Sequence, residues 1–154
     1  MNRSATASTA PTARSQGRAR SILMLALFAM VAALAGCGGD SDTGVRAISA
    51  DEAFETVFES PPEGLVVLDV RTPEEFDGQR LPDAVLIDFY EPDFASRIQD
   101  LDRDTPYLLY CRSGNRSGST AELMQELGFT DVREVEGGIL SWLDDGHPFV
   151  TSNG

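Results

Sequence analysis

Cys111 is the residue whose surroundings invite chemistry. It ends the apolar run Pro106-Tyr107-Leu108-Leu109-Tyr110 and opens the segment Cys111-Arg112-Ser113-Gly114-Asn115-Arg116-Ser117-Gly118. The pattern places a thiol at the end of a buried strand, facing a small polar turn that leads into a helix. Such a turn can curl until consecutive backbone N–H groups converge on one point. The result is an anion cradle, reinforced by the positive end of the helix dipole. Arg112 and Arg116 add positive charge. All these effects favour the thiolate, so the pKa of Cys111 is expected below the free value of about 8.5. Ser113, Gly114, Asn115 and Ser117 complete a wall that would hold an anionic substrate. A buried structural thiol would sit among apolar residues, unlike this one.

Other polar residues invite less. Asp69 and Arg71 follow a buried strand and are expected to form a hydrogen-bonded network bracing the Cys111 loop, though contact with substrate is the alternative. The carboxylate pairs Glu74-Glu75 and Asp144-Asp145 read as solvated helix ends. His147 is the only histidine and lies in the turn Asp145-Gly146-His147-Pro148, where it is expected to be solvated and inert. One histidine and one free cysteine lack metal-ligand spacing, so no metal site is expected.

The elements that must position Cys111 follow from the pattern on either side. Val45-Arg46-Ala47-Ile48 reads as a strand, and Ser49 with Glu52 as a capping box opening a helix with Phe54, Val57 and Phe58. Pro61-Pro62-Glu63-Gly64 breaks it. Leu65 to Val70 is a continuous apolar run, as in strands covered on both faces of a parallel sheet. Thr72-Pro73-Glu74-Glu75 gives an N-cap, Pro at N1 and acids in the first turn. Ala84 to Ile87 is a third strand, and Phe94, Ile98 and Leu101 mark a helix. After Cys111, residues 117–127 read as a helix stopped by Gly128. Val132 and Val135 lie in a fifth strand, and Gly137-Gly138 opens a last helix with Ile139, Leu140, Trp142 and Leu143. Alternating strands and helices with short connections predict an α/β domain over residues 45–154, with a parallel sheet. Ligands sit at the carboxyl ends of such strands, where Cys111 lies.

The first 36 residues differ from the rest. They hold Arg3, Arg14, Arg18 and Arg20 and no acid, then an uncharged apolar stretch from Ile22 to Ala35. A bilayer span needs about twenty residues, so this stretch is short for one and suits a signal h-region. It ends in Leu34-Ala35-Gly36-Cys37, which resembles the lipobox of bacterial lipoproteins. The resemblance implies a signal peptide over residues 1–36, cleavage before Cys37, and lipidation of Cys37. Residues 37–44 would then be the lipidated cysteine and a flexible tether. Two or three acyl chains would hold the protein on the outer face of the cytoplasmic membrane or in the cell envelope.

Charge bounds the partners. The chain of 154 residues has no Lys, 12 Arg and 25 acids, a net charge of −13. Without a basic run it is not expected to bind nucleic acid, because phosphate contacts need clustered cations.

The loop from Cys111 to Arg116 resembles the active-site loop of the rhodanese family. Leu68-Asp69-Val70-Arg71-Thr72-Pro73-Glu74-Glu75-Phe76 is similar to that family's first signature, and Leu81-Pro82-Asp83-Ala84 to its second. Gly128-Phe129, Gly137-Gly138 and Trp142 resemble its C-terminal pattern. Arg80 stands where the second signature usually has His, and Asp83 where it has Gly. Local adjustment of that loop is expected there. The resemblance implies a five-stranded parallel sheet with helices on both faces. It also implies a sulfurtransferase working through a Cys111 persulfide, with no bound cofactor. Thiosulfate or a persulfide would be the donor, and cyanide or a thiol, including a protein thiol, the acceptor. Residues 112–117 would bind the substrate. A persulfide carrier or anion-binding module with little turnover is a second reading. A thiol phosphatase is a third, although phosphatases of this fold use a loop one residue longer.

Overall fold

The computed structural model describes residues 44–152. The expected signal segment 1–36, Cys37 and most of the tether lie outside the described residues. Gly44, expected in the tether, is instead the first residue of a strand and pairs with Asp131. Among the described residues no helix is long and apolar enough to cross a membrane.

Five strands form one sheet: β1 (Gly44–Ile48), β2 (Val66–Asp69), β3 (Val85–Leu86), β4 (Tyr107–Tyr110) and β5 (Asp131–Val135). Their order is β1-β5-β4-β2-β3, and every neighbouring pair is parallel. The helices are α1 (Ala50–Phe54), α2 (Pro73–Gly78), α3 (Phe94–Gln99), α4 (Asn115–Glu126) and α5 (Gly138–Asp144). β4 is central, so both of its faces are covered and Tyr107 to Cys111 are all buried.

Side chains alternate across the sheet. On one face Leu68, Leu109 and Val132 pack against Ile98 of α3 and Ala121 and Met124 of α4, and Cys111 belongs to this cluster. On the other, Val67, Leu108 and Val135 pack against Ala50 and Ala53 of α1 and Ile139 and Trp142 of α5. Trp142 is fully buried in this core, and its Nε1 donates to the Pro148 carbonyl at 2.8 Å.

Local signals account for most helix ends. Thr72 caps α2 as a full capping box with Glu75, and Pro73 occupies the first turn. Gly128 stops α4 with φ +83°. Its amide bonds the Gln125 carbonyl and that of Phe129 bonds Met124, a Schellman closure that brings Phe129 over Met124 in the core. Two expectations change. Only half of the Ser49 capping box forms, because the Glu52 carboxylate is drawn to Arg46 at 2.7 Å. The helix after it also widens into a π-turn over Glu55–Glu59, where the Phe58 and Phe54 rings meet tilted, 4.9 Å apart between centroids. A further shift lies at α4, which starts at Asn115 rather than 117.

The two departures in the second signature have local accommodations. Asp83 adopts φ +57°, the left-handed conformation that Gly takes freely. Arg80 pairs backbone to backbone with Val150, and its guanidinium lies over the Phe76 ring at 4.6 Å.

Candidate active site

Cys111 is fully buried and unpaired by any disulfide. It forms the floor of a pocket of about 390 Å³ whose walls include Thr72, Tyr90, Arg112, Ser113 and Asn115. Its Sγ accepts from the Gly114 amide at 3.2 Å and lies 3.3 Å from the Ser117 hydroxyl. Gly114 reaches this position with φ +95° as the N-cap of α4, so the helix starts directly over the sulfur. Burial pushes the Cys111 thiol pKa up. The hydroxyl and amide of Ser117 and the amides of Ser113 and Gly114 outweigh burial and bring it below the ordinary value.

The loop keeps its amides inward because its carbonyls are held outward. The α5 amides of Ile139 and Leu140 donate to the carbonyls of Cys111 and Arg112 at 2.9 and 3.2 Å. This close approach needs Gly138, whose φ is +60°. A Cβ there would run into the Cys111 carbonyl and the Arg112 backbone. Gly137, at φ +71°, likewise has the Ser141 side chain where a Cβ would stand.

The two arginines differ. Arg112 is exposed at the mouth, and no carboxylate among the described residues pairs with it. Arg116 donates to both oxygens of Glu75, at 2.7 and 2.8 Å, and lies 5.6 Å from the Tyr90 ring centroid. The hydrogen bonds to Glu75 raise the Arg116 pKa further. Its charge is therefore shared with a carboxylate rather than offered freely to an anion. Glu75, expected as helix-end solvation, is instead fixed twice, by the Thr72 amide at 3.1 Å and by Arg116. Its position at N3 of the capping box carried that signal.

Asp69 and Arg71 form a buried bidentate pair, with Arg71 Nε and Nη2 on the carboxylate at 2.6–2.9 Å. Arg71 Nη2 also donates to the Gln79 carbonyl at 2.7 Å. Burial works against the Arg71 charge, but the hydrogen bonds and charge of Asp69 prevail and raise its pKa. The pair anchors the segment after α2 and lies beside Tyr110, whose hydroxyl accepts from the Leu81 amide at 3.2 Å. It thus braces the strand end beneath Cys111. The direct tie to the loop is Glu75.

Glu134 is the site residue that sequence reasoning missed. It is nearly buried on β5, opposite Leu109, and its Oε1 lies 2.5 Å from the Ser117 hydroxyl. Burial pushes its pKa up and outweighs the lowering hydrogen bond from Ser117, and Glu136 adds to the rise. Val132, two residues earlier, belongs to the Cys111 face, so strand parity was the available signal.

His147 corrects an expectation, since it is not solvated. It stacks on Phe54 at 4.6 Å between centroids, contacts Trp142, and points Nε2 at Asp51 Oδ1, 3.1 Å away. Asp51, Asp145 and His147 offer ligand-type atoms within 4.8 Å of one another, a grouping that does not include Cys111.

The Glu75–Arg116 pair makes a pH prediction. Its main cause, the hydrogen bonds from Arg116, holds the Glu75 carboxyl at about 2 against an ordinary 4.5. A depressed carboxylate stabilises the fold above its unfolded pKa and loses that contribution as pH falls through the folded value. Urea unfolding should therefore show stability dropping between about pH 4.5 and 2. Glu75→Gln should be less stable at neutral pH and show a shallower decline across that window.

Three comparisons place this geometry. A family model described as Rhodanese-like domain matches residues 51–145. A protein named thiosulfate sulfurtransferase GlpE from Pseudomonas syringae pv. syringae is 38% identical over 80 residues, covering 52% of this chain and 74% of that one. A rhodanese-related protein from Thermoplasma volcanium, solved by crystallography, superposes with TM-score 0.59 at 32% identity, over 68% of this chain and 97% of its own. The parallel sheet, the cysteine at the end of its central strand and these matches agree: the chain belongs to the rhodanese-like domain family.

Proposed function

We propose that the protein is a sulfurtransferase that carries sulfur as a persulfide on Cys111. The observation that carries this reading is the sulfur of Cys111 beneath the start of α4, with N–H and O–H donors directed at it. The sulfurtransferase names of relatives support it, including a sulfurtransferase of Allochromatium vinosum that is 30% identical over 92 residues, covering 60% of this chain and 84% of that protein.

The chemistry proceeds in two displacements. The Cys111 thiolate attacks the outer sulfur of thiosulfate. A new S–S bond forms on Cys111, the S–S bond of thiosulfate breaks, and sulfite leaves with the electron pair. An acceptor nucleophile, cyanide or a thiolate, then attacks the outer sulfur of the persulfide, and Cys111 leaves as the thiolate. A persulfide donor enters the same scheme with its own thiolate as leaving group. This is nucleophilic catalysis through a covalent intermediate. The amides of residues 113 and 114 and the Ser117 hydroxyl are the donors suited to the negative charge on sulfur. Arg112 at the mouth draws the anionic donor inward. Arg116 is committed to Glu75, which argues against its gripping a phosphate ester.

Mass spectrometry of the full-length protein after incubation with thiosulfate tests the reading. The expected result is a gain of one sulfur atom on Cys111, discharged by cyanide as thiocyanate and absent in Cys111→Ser. An adduct that cyanide does not discharge would favour a carrier, and no adduct would overturn the reading.

We also propose that Cys37 is lipidated and that the domain stands outside the membrane on a tether that ends before Gly44, the first residue of β1. The Leu34-Ala35-Gly36-Cys37 pattern after an apolar stretch supports this. Labelled fatty acid should be incorporated by the wild type and not by Cys37→Ala. Equal labelling of both would contradict it.

A further inference from the structure

Ser117 has one hydroxyl proton and three acceptors around it. Cys111 Sγ lies at 3.3 Å, the Gly114 carbonyl at 3.2 Å and Glu134 Oε1 at 2.5 Å. One proton can serve only one of them well at a time. If Glu134 is ionised, its carboxylate takes that proton and leaves the sulfur facing an oxygen lone pair. If Glu134 is a carboxylic acid, it donates to Ser117 Oγ and frees the Ser117 hydroxyl to point at sulfur.

We propose that Glu134 is a positioning residue that stores the proton of Cys111, taken through Ser117, so that the two buried groups share one proton and one negative charge. The step balances. The S–H of Cys111 breaks and its proton passes to Ser117 Oγ. The hydroxyl proton of Ser117 passes to Glu134 Oε1, where a new O–H forms. Ser117 ends with one proton, as it began, now turned toward the thiolate. The total charge of the buried group does not change, so the thiolate forms without adding a second charge to a site that solvates charge poorly.

The surroundings favour this partition. Glu134 lies within the sheet, with Ala47 of β1 on one side and Leu109 of β4 on the other, neither of them charged. α4 supplies Ser117 and, at the same end, Arg116, whose charge is taken up by Glu75. Glu136, in the turn just after β5, is a like charge and opposes ionisation. No cation among the described residues forms a salt bridge with Glu134. Burial raises the carboxyl pKa while hydrogen bonds lower that of Cys111, so the two titrations move toward each other. Groups this close titrate as a pair.

The inference rests on Cys111 as the sulfur-carrying nucleophile, but its test needs no sulfur transfer. The carboxyl of Glu134 is followed by carbon-13 NMR of the glutamate-labelled full-length protein across a pH series, and Glu134→Gln identifies the signal by its loss. In the wild type the Glu134 carboxyl should remain protonated near neutral pH. In Cys111→Ser, with no thiolate to oppose it, the carboxyl should ionise at a pH lower by about one unit or more. The same titration in both proteins would overturn the proposal, as would a wild-type carboxyl already ionised in mild acid. The wild-type measurement stands by itself if a variant does not fold. If Cys111 takes no sulfur but the two titrations differ, the sulfurtransferase reading fails alone. If sulfur is carried and the titrations coincide, this inference fails alone.

Discussion

A thiol whose ionisation must be eased in a fully buried position is the constraint on which the rest of this structure depends. An unpaired charge in a protein interior costs several kcal/mol even after relaxation. A hydrogen bond to a charged group returns about 1.5–3 kcal/mol, so two or three well-placed donors are needed to make the thiolate tolerable. Side chains alone do not supply them here. The Gly114 amide does so at 3.2 Å, joined by the amides of Ser113 and Ser117 and the Ser117 hydroxyl. The backbone between β4 and α4 must therefore hold an inward curl that an unsupported loop would not keep.

Three supports hold it, and each comes from a different element. The first amides of α5 take the carbonyls of Cys111 and Arg112, so the opposite faces of those peptides turn toward the pocket. The absence of a side chain at Gly138 makes that approach feasible. From the other side Glu75, itself fixed by the Thr72 cap, grips Arg116 in the first turn of α4. Beneath, the Asp69–Arg71 pair ties the end of β2 to the Gln79–Leu81 segment and lies against Tyr110, the residue before Cys111. Removing one partner of such a buried pair costs about 3–5 kcal/mol, because the other charge is left uncompensated. Fold stability and the placement of the donors around the Cys111 sulfur are thus coupled through the same few residues.

Much of this was legible from the chain. The apolar run 106–110, the Ser-Gly-Asn turn and Gly128 place a strand, a turn into a helix and a helix stop by local rules, and the structure has all three. The Gly137-Gly138 pair was readable as the start of a helix, and it opens α5. What was not legible depends on contacts distant in sequence. Glu75 read as a solvated helix end because its partner Arg116 is 41 residues away. Glu134 lies 17 residues beyond Ser117 and meets it only through the β4–β5 register. His147 read as a solvated turn residue, yet the Schellman closure of α5 folds it back onto Trp142 and Phe54. Local pattern placed Cys111 and the turn over it, whereas the network around them arises from tertiary pairing.

The central claim is that main-chain and hydroxyl donors lower the Cys111 pKa despite its burial. The most direct measurement is the thiolate absorbance of the wild-type protein in the ultraviolet as pH is raised, with Cys111→Ser as blank. The account predicts a midpoint clearly below the value of about 8.5 for a free cysteine. It also predicts that Gly138→Ala, by displacing the loop carbonyls, moves the midpoint up. A wild-type midpoint at or above the free value would mean that burial outweighs the cradle, and would contradict the account.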